Sequence, residues 1–156
     1  SKPAQKILWT HRIGRWVQSS PAVAGAVVYV GSDDGRVYAL DAATGVRRWV
    51  HKTGKEVNSS PAVVGGVVYA LDAATGAERW STITDDWVRS GPAVTDGVVY
   101  VGSDDYKMYA LDAATGAERW TCETGRWVQT SPVVAGGVVY VGSHDGKVYA
   151  LNTMTG

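Results

Sequence analysis

One hexapeptide decides how this chain folds: Leu40-Asp41-Ala42-Ala43-Thr44-Gly45. It recurs unchanged at 71–76 and 111–116, and as Leu-Asn-Thr-Met-Thr-Gly at 151–156. Self-similarity at a fixed period is the signature of a repeat architecture. Residues 9–45 and 120–156 share 26 identities in 37 positions, so the repeats are copies of one unit. We therefore predict one domain over 1–156, with repeats at about 9–48, 49–79, 80–119 and 120–156.

Apolar runs and turn residues mark four short strands in the first repeat. We predict strands at 17–23, 26–32, 36–42 and 46–53, separated by turns at Ala24-Gly25, Asp33-Asp34-Gly35 and Ala43-Thr44-Gly45. Gly35 supplies the positive φ that a tight hairpin needs, and Asp41 can accept backbone N–H bonds in the turn that follows it. A repeated four-stranded meander of about 40 residues is typical of a β-propeller blade. The expected fold is all-β, a β-propeller of four-stranded antiparallel blades.

Composition agrees with an all-β chain and argues against several partners. The 156 residues include 7 Trp, 8 Tyr and 19 Gly, a mixture that suits strands better than helices. The 15 basic residues are balanced by 15 acidic ones, so no basic excess favours nucleic acid or an anionic membrane surface. No apolar run approaches the roughly 20 residues of a membrane span. We expect neither nucleic acid nor a membrane as partner.

The segment Ala39–Trp49 resembles the tryptophan-docking motif, Ala-x-Asp-x-x-Thr-Gly-x-x-x-Trp, of the pyrroloquinoline-quinone-like (PQQ-like) β-propeller repeat family. Residues 70–80 and 110–120 match it at every motif position, whereas 150–156 has Asn152 for Asp and ends at the Gly. The resemblance implies that each indole packs between neighbouring blades, against the turn of the next blade. It assigns this structural docking role to Trp9, Trp49, Trp80, Trp120, Ala39, Asp41, Thr44, Gly45, Asp72 and Asp112.

The segment Lys6–Trp9 aligns with the tail that the fourth repeat lacks, so we interpret 6–9 as the closing strand of the last blade. Without it, both ends of the array would leave an unpaired edge. Two closures are open: within one chain, giving four blades, or between two chains, giving an eight-bladed ring with two-fold symmetry. We favour the homodimer, because the motif resembles that of eight-bladed rings and its small residues suit a turn of roughly 45° per blade. Lys6–Trp9 then pairs near 149–151 of the other copy.

The second repeat is nine residues short. Trp9 and Trp49 are 40 residues apart, as are Trp80 and Trp120, but Trp49 and Trp80 are 31 apart. The missing residues correspond to the end of strand two, the hairpin turn and the start of strand three. We expect the chain to be interrupted between 66 and 71, at Tyr69–Ala70. The alternative is a continuous chain whose second blade has only two or three strands.

One repeat position varies in residue type in a way that bears on function. It is the segment that leads into each innermost strand, and we name these segments the mouth loops: 14–18, 54–58, 85–89 and 125–129. Innermost strands line the axial channel, so these loops are expected to crowd one mouth of the ring. Aromatic side chains beside convergent donors suit a small polar or anionic ligand, or an extended peptide. The alternative is Arg-on-Trp stacking that only stabilises the loops. The candidate residues are Arg15, Trp16, Gln18, Lys55, Asn58, Trp87, Arg89, Arg126, Trp127 and Gln129.

Catalytic chemistry has little support in the sequence. The resemblance implies that a quinone enzyme of this family would carry a vicinal Cys-Cys disulfide, a Ca²⁺ site and a catalytic Asp, but Cys122 is the single cysteine. The acid pairs at 33–34 and 104–105 are interpreted as solvated turn residues. His11, His51 and Cys122 share one repeat position on outermost strands, too far apart to bind one metal ion. No cofactor or metal is expected.

The favoured function is therefore a non-catalytic scaffold or interaction module built from near-identical repeats. An engineered or excised origin, in which self-assembly is the only activity, stays open. The alternatives are a PQQ- and Ca²⁺-binding oxidoreductase and, from relatives that the resemblance brings in, a ligand-sensing domain of a bacterial Ser/Thr kinase.

Overall fold

Four antiparallel sheets, one from each repeat, make up the computed structural model, which describes residues 6–57, 59, 63–64 and 67–156. Blade 1 contains β1 (Ala22–Ala24), β2 (Val27–Ser32), β3 (Arg36–Asp41) and β4 (Arg47–Lys52). Blade 2 contains β5 (Val63–Val64), β6 (Val67–Leu71) and β7 (Glu78–Ile83). Blade 3 contains β8 (Ala93–Thr95), β9 (Val98–Gly102), β10 (Lys107–Asp112) and β11 (Glu118–Glu123). Blade 4 contains β12 (Val133–Ala135), β13 (Val138–Gly142) and β14 (Val148–Asn152). The described residues include no helix that could cross a membrane.

The second and third strands form the core of a blade because both of their faces are covered. Tyr100, Met108 and Ala110 of blade 3 pack with Val139 and other buried residues of blade 4. The opposite face of blade 3, which includes Leu111, packs with Trp80 from blade 2. These strands therefore read as nearly continuous apolar runs, as strands buried on two faces do.

The innermost strand is shorter than predicted, since β1 covers Ala22–Ala24 and not 17–23. Pro21 has no N–H to give to a ladder. Before it, the Ser19 hydroxyl takes over the pairing with β2: Oγ accepts from the Gly31 N–H at 2.7 Å and donates to the Gly31 carbonyl at 2.9 Å. Ser90 and Thr130 make the same pair of bonds to the glycines of blades 3 and 4.

In blade 2 the chain is continuous from Val67 to Leu71, so the predicted interruption at Tyr69–Ala70 is wrong. The single strand β6 pairs with β5 on one edge and with β7 on the other, giving three strands. It does so because its first residues keep the register of a second strand and its last residues that of a third. The pair Ala70 and Trp80 thus matches Ala39 and Trp49 in blade 1.

The fourth sheet ends at β14, and residues 6–13 form no strand in the single chain. The predicted closing strand 6–9 is therefore not paired within this chain. Ile7 and Leu8 are strongly exposed. The outer edge of β14 consequently has no strand beside it among the described residues.

Tyr106 occupies the hairpin position that Gly35 and Gly146 hold in blades 1 and 4, with φ of 72°. A left-handed conformation costs an ordinary residue roughly 1–2 kcal/mol, part of which is offset by the greater backbone entropy that glycine loses. We expect Tyr106→Gly to raise the free energy of unfolding in urea by about 0.5–1 kcal/mol. Gly146→Ala is the opposite control, because nothing lies within 4 Å of its added Cβ and its φ is +82°. An unchanged or lower stability of Tyr106→Gly would contradict the account.

Candidate functional site

Each docking turn in the first three blades is organised by one aspartate. Asp41 Oδ1 accepts hydrogen bonds of 3.0 Å from the Ala43 and Thr44 N–H groups and from the Thr44 hydroxyl, while Oδ2 accepts one of 2.7 Å from Arg48. Asp72 and Asp112 make the same bonds, with Arg79 and Arg119 as the arginines. These donors favour the charged form, the arginine most, and lower the pKa of each carboxyl to about 2.

Each docking tryptophan reaches forward to the turn of the next blade. The Nε1–H groups donate to carbonyls at 2.8–3.0 Å: Trp9 to Ala42, Trp49 to Ala73, Trp80 to Ala113 and Trp120 to Thr153. The indole lies directly on the turn glycine. A Cβ built on Gly45 would stand 2.4 Å from the Trp9 ring, so glycine is required there by space as well as by its φ of +72°.

A tyrosine from the second strand completes the docking sites of Trp49 and Trp120, and sequence reasoning missed it. The hydroxyls of Tyr29 and Tyr100 donate to the same carbonyls as the indoles, at 3.3 Å, and their rings lie 5.8 and 5.9 Å from Trp49 and Trp120. The signal was present as Val-Val-Tyr at 27–29, 67–69, 98–100 and 138–140. One carbonyl therefore receives two donors across each of these blade boundaries.

The docking aspartates make stability depend on acid pH. A carboxyl whose pKa is about 2 when folded and 3.8 when unfolded contributes stability that is fully present above pH 4. That contribution disappears as the pH falls through 2, so we expect the thermal midpoint to drop steeply between pH 4 and 2. Asp112→Asn should flatten this decline while retaining the turn, because Asn152 keeps the turn of blade 4 with bonds from the Met154 and Thr155 N–H groups. A decline equally steep in Asp112→Asn and the parent would contradict the assignment.

The mouth loops are fixed through their backbones to two hairpins. Within a blade, the carbonyl of the loop tryptophan accepts from the hairpin N–H: Trp16 from Asp33 at 3.0 Å, Trp87 from Asp104 at 2.7 Å and Trp127 from His144 at 2.9 Å. Between blades, the Val57 and Val128 N–H groups donate to Ser32 and Ser103 of the preceding blade at 3.1 and 3.0 Å. The loops are thus part of the blade interfaces.

The structure separates the predicted mouth residues into local groups. Arg15 and Trp16 line a cavity of about 530 Å³ together with Arg12, Ile13, Gly14, Asp33 and Glu56. Gln18 donates to Asp33, whereas Arg89 and Gln129 both bind Asp104. Trp87 lies under the Arg89 guanidinium and Trp127 against His144. The carbonyls of Lys55 and Arg126 accept hydroxyl bonds from Thr53 and Thr124, and Asn58 lies outside the described residues.

The hairpin aspartates are not the solvated turn residues that the sequence predicted. Asp105 and Asp145 accept hydrogen bonds of 2.6 Å from the hydroxyls of Tyr109 and Tyr149, and Asp34 is bound by Tyr38 in the same way. Asp104 is buried between Arg89 and Gln129. The prediction failed because the partners come from the third strand and the mouth loops, which a hairpin sequence does not show.

These contacts also test whether the residues fit the Ca²⁺ and quinone of the quinoprotein enzymes. A Ca²⁺ ion needs several oxygen ligands that converge and are free to bind it. Here each hairpin carboxylate is engaged through at least one oxygen by a hydroxyl, amide or guanidinium donor, and among the described residues only Oδ1 of Asp33 and Oδ1 of Asp34 are buried without a partner. Within the described residues, no three His, Cys, Asp or Glu side chains lie together so as to hold a metal ion. The residues present do not fit that site.

Comparisons with known proteins agree with this fold. The family model described as outer membrane protein assembly factor BamB matches residues 1–69 and 64–156. The structure of BamB from Moraxella catarrhalis is 26% identical with a TM-score of 0.83 over 94% of this chain and 49% of that one, so this chain spans about half its length. The computationally designed Ika4 protein is 21% identical with a TM-score of 0.83, over 96% of this chain and 99% of that one. No curated protein matches the sequence.

Enzymes of the same fold are also similar. The quinohemoprotein alcohol dehydrogenase ADHIIG from Pseudomonas putida HK5 is 21% identical with a TM-score of 0.71, over 94% of this chain and 34% of that one. At this identity the likeness concerns the fold alone. The predictions of an all-β propeller and of PQQ-like repeats are confirmed. With its docking tryptophans, its antiparallel blades and a family model that matches from end to end, the chain belongs to the PQQ-like β-propeller repeat family of outer membrane protein assembly factor BamB.

Proposed function

We propose that this chain is a non-catalytic half-propeller, which pairs with a second copy to form an eight-bladed ring that acts as an interaction scaffold. The observation that carries the proposal is that each end of the array exposes what the internal blade boundaries bury. Tyr100 and Met108 of blade 3 are 1% and 0% exposed because blade 4 covers them. Their counterparts in blade 4, Tyr140 and Val148, are 43% and 78% exposed. Equivalent side chains are therefore covered by a neighbouring blade inside the array and left uncovered at its end.

The first blade offers the complementary surface. At the internal boundaries Val57 and Val128 are fully buried and press on Gly31 and Gly102 of the preceding blade. Val17 holds the same position in blade 1 and is 48% exposed. The matching glycine at the other end of the array is Gly142. Val17 of one copy is therefore expected to lie on Gly142 of the other, as an internal blade boundary would place it.

Strand pairing extends the same argument to the edge of β14. In blades 1 and 3, the third strand pairs with the fourth so that Ala39 lies opposite Trp49, and Met108 opposite Cys122. Transferred to the open edge, this register sets Ala150 opposite Trp9 and Val148 opposite His11. Since Trp9 already docks on Ala42 of its own blade 1, residues 6–12 would tie the two copies together. Two such joints, related by two-fold symmetry, close the ring.

Two further facts favour a scaffold over an enzyme. The carboxylates near the mouth are engaged in hydrogen bonds and ion pairs that organise hairpins, and the single cysteine leaves no vicinal disulfide of the kind that the quinoproteins carry. The Moraxella protein, about twice as long as this chain, is a BamB, and the family model that matches this chain describes BamB as an outer membrane protein assembly factor. By analogy, the ring would serve to hold other macromolecules.

Solution mass tests the assembly, and redox assays test the absence of catalysis. Light scattering should give twice the 16.5 kDa of one chain over a wide range of concentration. A stable particle of one chain's mass would overturn the homodimer. Added pyrroloquinoline quinone and Ca²⁺ should produce no dye reduction with alcohols or sugars, whereas turnover that requires both would overturn the scaffold.

A further inference from the structure

Blade 3 contains an internal example of a guanidinium held at the mouth. Arg89 Nε lies 3.0 Å from Asp104 Oδ2, and its Cζ lies 5.8 Å from the centre of the Trp87 ring. Gln129 donates to the other oxygen of the carboxylate at 2.9 Å. The buried Asp104 is thus neutralised by one cation that also stacks on an indole, an arrangement in which the ion pair and the cation–π contact support each other.

Blade 1 has the same carboxylate and the same indole but not the cation. Asp33 and Trp16 correspond to Asp104 and Trp87, and the backbone bond that joins each pair is present in both blades. Gln18 stands where Arg89 does, and it gives Asp33 Oδ2 a neutral amide bond of 2.7 Å. Asp33 Oδ1 is buried and has no hydrogen-bond partner in the described part of the chain, which does not include Asn58, the counterpart of Gln129. Trp16 is 77% exposed, against 43% for Trp87.

A cavity occupies the place that this difference leaves. The cavity has a volume of about 530 Å³ and is lined by Asp33, by Arg15 and Trp16 of mouth loop 14–18, by Arg12 just before that loop, and by Glu56 of the neighbouring mouth loop. Asp33 is half-buried, but its Oδ1 has lost water without gaining a donor, and a bound cation would relieve that unfavourable desolvation. Arg12 and Arg15 would repel a simple cation but bind a carboxylate on the same ligand. The lining therefore suits a guanidinium and a carboxylate joined in one molecule.

We propose that this cavity binds arginine, with its guanidinium between Trp16 and Asp33 and its carboxylate held by Arg12 and Arg15. The same chemistry is presented by free arginine and by an arginine at the C-terminus of a peptide. This site goes beyond the scaffold function, and every lining residue belongs to one chain. Arg12 is also the last residue of the segment 6–12 that the proposed joint ties to the second copy, so the site borders that joint.

Calorimetric titration of the full chain tests the site. L-arginine should bind with heat and change the tryptophan fluorescence, whereas L-citrulline, its neutral isostere, should bind at least roughly tenfold more weakly because it cannot pair with Asp33. L-argininamide, which lacks the carboxylate, should also bind more weakly. An acetylated peptide ending in arginine that binds far better than L-arginine would identify a peptide as the source, and the reverse order would identify the free amino acid. Equal binding of L-arginine and L-citrulline, or no binding of either, would overturn the proposal.

Three variants separate binding from folding. Gln18→Arg should supply the cation from within, as Arg89 does, so it should abolish L-arginine binding and raise the thermal midpoint. Trp127→Ala, in the mouth loop of blade 4 and outside the cavity, is the matched control and should bind L-arginine like the parent. If the parent did not bind L-arginine but Arg15→Ala did, Arg15 itself would be the cation that neutralises Asp33. The proposal would then be wrong. Unchanged binding in a folded Gln18→Arg would contradict it equally.

Discussion

Gly116→Ala should lower the free energy of unfolding by about 3 kcal/mol, although it adds one methyl group. The new Cβ would stand 2.5 Å from the Trp80 ring and 2.9 Å from Thr82 Oγ1, at a φ of +74°. The left-handed backbone accounts for roughly 1 kcal/mol, and overpacking against the indole for roughly 2 kcal/mol more. The docked Trp80 cannot move aside without losing its bond to the Ala113 carbonyl.

Gly146→Ala is the matched control for this effect. Its φ of +82° is similar, but no atom lies within 4 Å of the added Cβ. It should therefore cost only the backbone part, about 1 kcal/mol. Urea denaturation of both variants measures the difference. Equal losses in the two variants would mean that the indole does not fix the turn, which would contradict the docking role of the tryptophan.

Gly142→Ala should dissociate the dimer while leaving a folded chain. In the single chain its Cβ would meet only Thr130, at 3.3 Å, whereas the equivalent Cβ atoms on Gly31 and Gly102 would stand 2.3 Å from valines of the next blade. In the ring the partner's Val17 takes the place of those valines. Overpacking of roughly 1–3 kcal/mol at each of two symmetric joints weakens association by about thirtyfold or more.

Light scattering and far-ultraviolet circular dichroism together report this outcome. We expect the mass of Gly142→Ala to fall to that of one chain at concentrations where the parent is a dimer, with the β-sheet spectrum retained. Gly97→Ala should stay dimeric, because its turn lies inside blade 3, away from both ends of the array, and nothing lies within 4 Å of the added Cβ. A Gly142→Ala variant as dimeric as the parent would exclude the proposed joint.

The blade architecture and the docking turns could be predicted because their causes are local. Asp41, Thr44 and Gly45 build one turn through hydrogen bonds that span at most a few residues. The sequence of a single repeat is therefore enough to predict that turn. The three-stranded blade 2 could not be predicted in the same way, because β6 pairs with β7 along its whole length and with β5 through its first two residues, so its place is decided by pairing on both edges. The short innermost strand was missed since Ser19, a side chain, replaces the ladder there.

The candidate mouth was predicted as a region but not as a set of contacts. The sequence places Trp16, Trp87 and Trp127 at equivalent positions, yet each has different surroundings. Between blades 1 and 3 the difference follows from one residue two places further along, Gln18 in blade 1 and Arg89 in blade 3. Alignment of the repeats shows that Gln18 and Arg89 differ. Only the folded blades show the consequence, which is that Asp104 has a cation beside it and Asp33 has a neutral amide.

The most direct measurement of the proposed ring is a cross-link at its joint. The register transferred from the internal blades sets His11 of one chain opposite Val148 of the other, with Cβ atoms roughly 5 Å apart. A chain carrying His11→Cys, Val148→Cys and Cys122→Thr, the last taken from the residue at the same repeat position in blade 2, would be treated with a short bismaleimide. The ring predicts a covalent species of two chains on a denaturing gel, formed at high yield and unchanged by dilution. A covalently closed single chain, or no cross-link at all, would contradict it.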